Sequence, residues 1–127
     1  MIPLHARRFR RFEGLLQEAR DVQRRWLFAR VRRCRDTRFG RDHGFECVQT
    51  LADFRRQVPI STYDYFKPYI GAVARGDLAA LVPAGETVDR FTITTGSTGT
   101  PKLNPVTSSW LKEYRHAWDI WGLKILL

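Results

Sequence analysis

The glycine- and hydroxyl-rich segment Thr94 to Lys102 most limits what this chain can fold into. The nine residues Thr94-Thr95-Gly96-Ser97-Thr98-Gly99-Thr100-Pro101-Lys102 follow a β-branched and aromatic run, Arg90 to Thr94, with the composition of a strand. After them comes Leu103-Asn104-Pro105-Val106, where Asn104, being before a proline, is driven to an extended backbone. The glycine-rich stretch therefore joins two extended segments. It does not open a helix, as a Gly-Lys-Ser/Thr phosphate loop must. The expected unit is a strand–loop–strand hairpin whose loop behaves as a flap.

The loop has the side chains for a polyphosphate. Glycines at 96 and 99 let backbone N–H groups approach oxygens closely. The hydroxyls of Thr94, Thr95, Ser97 and Thr98 add donors that rotate to suit, and Lys102 adds a mobile cation. Thr94, Thr95, Gly96, Ser97, Thr98, Gly99 and Lys102 are the candidate phosphate-binding residues. The competing reading is a surface hairpin rich in glycine and threonine.

Ahead of the hairpin the chain reads as helical. Phe9, Phe12, Leu16, Ala19, Val22 or Gln23, Trp26 and Ala29 recur every three or four residues, which predicts one amphipathic helix over about 7–35 with Gly14 as its weak point. Leu15, Leu27, Phe28 and Val31 widen the stripe. Phe9, Phe12, Leu16, Val22 and Trp26 are expected to face the body, leaving the arginines in water. Arg38 to Gly44, with two glycines, reads as a loop. Thr50 should cap a short helix, Leu51 to Gln57, ended by Pro59. Ser61 or Thr62 should cap a helix from Tyr63 to about Arg75, kinked or broken at Pro68 and closed by Gly76 at the C′ position. Thr107 or Ser108 should cap a last helix carrying Trp110, Tyr114, Trp118, Trp121 and Ile125. That helix stops on an apolar face, so the expectation is a truncated chain.

The net charge of +9 raises the question of nucleic acid or an anionic membrane. All of the excess falls in residues 1–41, where thirteen arginines stand against four acidic residues and no lysine occurs. An arginine-biased solvated helix face explains this as well as a binding surface does. Glu13, Glu18 and Asp21 interrupt the basic run, and no aromatic–basic platform for bases accompanies it. Neither nucleic acid nor membrane is expected as a partner. Two cysteines, Cys34 and Cys47, are too few for a disulfide scaffold and read as reduced cytosolic thiols. His43 and Cys47, with Gly44 between them and no second pair, do not make a metal site. No apolar run approaches the length of a membrane span, and the start lacks the order of a secretory signal. The expected location is the cytoplasm.

Residues 94–102 match the phosphate-binding signature of the adenylate-forming enzymes, [ST]-[ST]-G-[ST]-T-G-x-P-K. A second run resembles the GH3 family, the acyl acid–amido synthetases. It comprises Val58-Pro59-Ile60, Thr62-Tyr63-Asp64, Phe66, Pro68-Tyr69-Ile70 and Gly76-Asp77. Thr37, Phe39, Gly40 and His43-Gly44 fit that family's earlier stretch, and Trp121-Gly122-Leu123 its continuation.

The resemblance implies an α/β fold, the N-terminal part of an adenylate-forming large domain. Its parts would be a helix-rich start, a strand–loop–strand phosphate hairpin and a truncated helix. Residues 1–36 would be the basic amphipathic helix and 37–127 the start of the ATP-binding core. It implies a ligase using ATP and Mg²⁺. A carboxylic acid would be activated as an acyl-adenylate, then passed to an amino acid or similar acceptor. Thr95 to Gly99 would meet the β- and γ-phosphates, with Lys102 nearby and Mg²⁺ bridging. Catalytic residues are not assigned. The family's adenine-, ribose- and acyl-binding motifs are not in these 127 residues, so the chain alone is expected to be an inactive piece lacking its C-terminal remainder. Asn104 departs from the family, which has an aliphatic residue before Pro105, and looser strand packing is expected there. Two alternatives stand beside this reading: an acyl-CoA ligase with the same loop and a thiol acceptor, and a small basic module binding nucleic acid or membrane.

Overall fold

The computed structural model describes residues 4–94 and 101–125. Helices α1 (Leu4–Gln17), α2 (Ala19–Cys34), α3 (Arg38–Asp42), α4 (Leu51–Gln57) and α5 (Tyr63–Ala74) come first. Strands β1 (Val88–Thr94) and β2 (Lys102–Thr107) form a two-stranded antiparallel sheet, and α6 (Ser108–Ile125) follows. Single 3₁₀ turns lie at Phe45–Cys47 and Leu78–Ala80. No described helix is long and apolar enough to cross a membrane.

The single basic helix expected over 7–35 is two helices. The break falls at Glu18, whose backbone (φ −108°, ψ 23°) leaves the helical region, and Gly14 stays inside α1. Tertiary packing accounts for this. α1 lies against α6, whereas α2 turns Leu27, Phe28, Val31 and Cys34 onto a cluster with Phe45 and Val48. One straight helix cannot serve both partners. The buried seam is therefore rotated from the expected one: Val31 is the fully covered residue, while Leu16 and Trp26 are each 55% exposed. Phe9, Phe12 and Val22 are half-buried.

Arg38 to Asp42, expected as loop, is the short helix α3. Thr37 makes it possible: its hydroxyl donates to the Cys34 carbonyl (2.7 Å), closing α2, and accepts from the Gly40 N–H (3.0 Å), opening α3. Gly40 is required by close approach, since a Cβ there would lie 2.1 Å from the Cys34 carbonyl oxygen. Thr50 caps α4 in a reciprocal box. Its hydroxyl accepts from the Asp53 N–H (3.1 Å), and the Asp53 carboxylate accepts from the Thr50 N–H (2.8 Å).

Thr62 occupies the cap position of α5 without a side-chain bond, and Pro68 lies inside that helix without dividing it. Gly76, at φ 100°, ends it as the sequence suggests. Its N–H reaches the Val73 carbonyl and that of Asp77 reaches Ala72, both at 3.0 Å, satisfying carbonyls the helix leaves open.

Many of the residues that carry the upstream resemblance meet in one aromatic unit between α3 and α5. Phe39 stacks on His43 (3.9 Å between centroids) and on Phe66 (5.7 Å), and meets Tyr69 edge-on (5.1 Å). Buried His43 bonds through Nδ1 to the Phe39 carbonyl (2.7 Å) and through Nε2 to the Tyr65 hydroxyl. The Tyr69 hydroxyl donates to Asp42 (2.7 Å), which together with burial pushes the phenol up to about 12. Cys34 and Cys47 are both free thiols, and burial raises the Cys34 thiol above its ordinary value.

Candidate phosphate-binding hairpin

A second apolar cluster, Ala72, Val73, Ala80 and Val82, is the floor on which the hairpin stands, with Val88 and Phe91 packed against it. Val106, buried on β2, helps seat the second strand. The strands pair Phe91 with Pro105, Thr92 with Asn104, Ile93 with Leu103, and Thr94 with Lys102. An irregularity between Val88 and Arg90 adds local twist near the open end.

The last pair matters most. It sets a threonine directly opposite the lysine across the base of the loop. The sequence predicted both residues for the site, and the register brings these two together. Thr95, Gly96, Ser97, Thr98 and Gly99 lie outside the described residues. Asn104, half-buried, sits opposite Thr92.

Lys102 is exposed, and its ammonium lies 5.7 Å from the centroid of the Tyr63 ring. The Tyr63 hydroxyl accepts from the Leu103 N–H (2.9 Å) and donates to the Leu103 carbonyl (3.0 Å). The first residue of α5 is thus fastened to the residue next to Lys102. Asp64 follows it on the same helix. Its carboxyl is held below the usual range by the Lys67 hydrogen bond (2.9 Å) and the charge of Lys67, with a smaller contribution from Lys102.

Behind the hairpin, Glu86 joins three elements. One carboxylate oxygen accepts from the Ser109 N–H (2.6 Å) and the Ser108 hydroxyl (3.0 Å) at the start of α6. The other accepts from Arg33 of α2. The Thr107 hydroxyl accepts from the Trp110 N–H (3.2 Å), completing the cap. Burial alone would push the Glu86 carboxyl up. The Ser109 N–H, the two serine hydroxyls and Arg33 outweigh that and hold it at about 2.

Tyr63 and Glu86 are the residues sequence reasoning did not single out. Tyr63 stood only as the first residue of an expected helix and within the family-like run. Glu86 closes the run Pro83-Ala84-Gly85-Glu86, whose composition suggests only a turn, and its partners are 53 and 23 positions away. A concavity of about 640 Å³ lies elsewhere, between α1 and α6, walled by Phe9, Phe12, Leu15, Ala117, Ile120 and Trp121. Arg11, Glu113 and His116 also border it, but its lining is largely apolar, so on chemistry the hairpin is the better candidate for a phosphate.

Comparison with known proteins agrees with the resemblance. The family model described as the GH3 family N-terminal domain matches residues 8–126. An indole-3-acetic acid-amido synthetase of Arabidopsis thaliana, GH3.6, is 30% identical over 93 residues, covering 73% of this chain and 15% of that protein. GH3.10 of Oryza sativa subsp. japonica, named provisionally for the same activity, is 32% identical over 98 residues, covering 76% of this chain and 20% of that protein. The chain thus spans a fifth or less of the length of the curated relatives it matches.

Proposed function

Because this chain belongs to the GH3 family, we propose that it supplies the ATP-phosphate hairpin of an acyl acid–amido synthetase built on an adenylate-forming α/β large domain. The observation that carries this reading is the pairing of Thr94 with Lys102 at the base of a glycine- and hydroxyl-rich loop. A donor hydroxyl and a mobile cation at one rim suit an oxygen-rich anion. Lys102 is exposed and makes no ion pair among the described residues, so its charge is available to a ligand.

The reaction is a two-step transfer. A carboxylate oxygen attacks the α-phosphorus of ATP, pyrophosphate leaves, and an acyl-adenylate forms. The amine of an amino acid or similar acceptor then attacks the acyl carbon, and AMP leaves with the bond electrons. Thr94, Thr95, Ser97 and Thr98 donate to the β- and γ-phosphates, and Gly96 and Gly99 admit the backbone. Lys102 offsets the charge that develops as pyrophosphate departs. Mg²⁺, when bound, would neutralise the phosphates further. Dependence on ATP makes the cytoplasm the natural compartment. Arg30 and Arg33 are engaged with Glu113 and Glu86, which favours a packing role for the basic helices over nucleic-acid binding.

The test is carboxylic-acid-dependent exchange of labelled pyrophosphate into ATP, made on the natural full-length protein. Lys102→Ala should lose roughly 10- to 1,000-fold, the range for removing one electrostatic group. Ser97→Ala, which removes a neutral donor, should lose less. Exchange at the wild-type rate in both Lys102→Ala and Gly96→Val would refute the assignment. Trapping the product with an amino acid or with coenzyme A separates amide from thioester synthesis.

A further inference from the structure

We propose that Tyr63 is a positioning residue for Lys102, holding the cation where the phosphates of ATP arrive; this rests on the phosphate-site reading above. Three observations converge on it. The Tyr63 hydroxyl takes both backbone groups of Leu103, donating to one and accepting from the other. Its ring lies under the Lys102 ammonium. The loop end of the sheet has little packing of its own, since Ile93, Thr94 and Lys102 are exposed and the apolar seat lies further back, under Val88 and Phe91.

The physical problem is that lysine is a point charge on a flexible four-carbon stem. Left to the hairpin alone, Lys102 would wander with the strand and with its own rotamers. The phenol clamp fixes the strand one residue away, using a helix 40 positions earlier in sequence. The ring's negative face then favours stem conformers that keep the ammonium over α5. A ring attracts a cation far less than a polyphosphate does, so the ammonium is organised without being withheld. Tyr63 touches no reacting atom in this scheme and acts only through Lys102.

The experiment is a double-mutant cycle on the natural full-length protein, read by pyrophosphate exchange at varied ATP. Tyr63→Phe removes the clamp and keeps the ring; it should lower kcat/KM for ATP by about 5-fold. Tyr63→Leu removes both and should lower it by about 10- to 50-fold. The KM for the carboxylic acid should not move. In a Lys102→Ala background neither substitution should cost anything more, because coupling between contacting residues is non-additive. A loss confined to Tyr63→Leu that vanishes without Lys102 supports positioning by the ring alone. Wild-type rates in both Tyr63 variants, or equal losses with and without Lys102, overturn the proposal. If Lys102→Ala itself exchanges normally, the phosphate-site reading has failed, which is a separate result.

Discussion

The carboxyl of Glu86, ordinarily titrating at 4.5 and here held at about 2, ties the stability of the fold to acid. Its pKa is depressed on folding, so its contribution is fully present above the ordinary value and disappears as pH falls through about 2. The shift corresponds to about 3 kcal/mol. Urea midpoints measured from neutral to strongly acid pH should fall through that window in the wild type. They should fall much less in Glu86→Gln, where the remaining slope reports other carboxylates such as Asp53 and Asp64, both also lowered. At Gly40 the constraint is steric. A Cβ 2.1 Å from a backbone oxygen forces α2 and α3 apart, so Gly40→Ala should cost about 2 kcal/mol or more in the same assay. That Thr94 and Lys102 close one loop was legible in the sequence, because a strand–loop–strand order is written in consecutive residues. The ties of Glu86 and Tyr63 were not, because their partners come from remote elements and no local pattern records them.

At the scale of elements, local signals were reliable wherever the chain itself supplies the bond. The Thr50 cap and the Gly76 ending are visible as residue types at fixed offsets, and both formed where expected, with Asp53 as a reciprocal partner that the structure adds. Thr50→Ala should therefore destabilise by about 1 kcal/mol, read by thermal melting. Periodicity served less well. It found helices before the hairpin but set neither the break at Glu18 nor the buried face, because both depend on what α1 and α2 pack against. The structure reverses one expectation outright: Trp26, 55% exposed with Arg30 over its ring, is not a core anchor. Val31→Ala should cost about 2 kcal/mol. Trp26→Ala should cost under about 1 kcal/mol. Equal losses would mean the seam was misread. Arg38 to Asp42 was misjudged as loop because two glycines outweighed Thr37, whose cap is plain only once Cys34 is seen above it.

For the molecule as a whole, all four tryptophans are about half-exposed: Trp26, Trp110, Trp118 and Trp121 at 47–57%. Three of them form a row with Tyr114 along α6: Trp110 stacks on Tyr114, Trp118 meets Tyr114 edge-on, and Trp121 meets Trp118 edge-on. Native emission from the 127-residue chain should therefore resemble that of the unfolded chain, with efficient acrylamide quenching and little red shift on denaturation. A strongly blue-shifted, poorly quenched native spectrum would contradict the exposures.

The carboxylate of Glu86 has a last consequence, for the order of folding. Arg33 and Ser109 can meet it only after two long stretches of chain have closed, a costly event before other contacts exist. Such a knot belongs to the late side of the transition state. Losing it should leave the refolding rate nearly unchanged and let the native chain open faster, so that Glu86 governs lifetime more than speed of assembly.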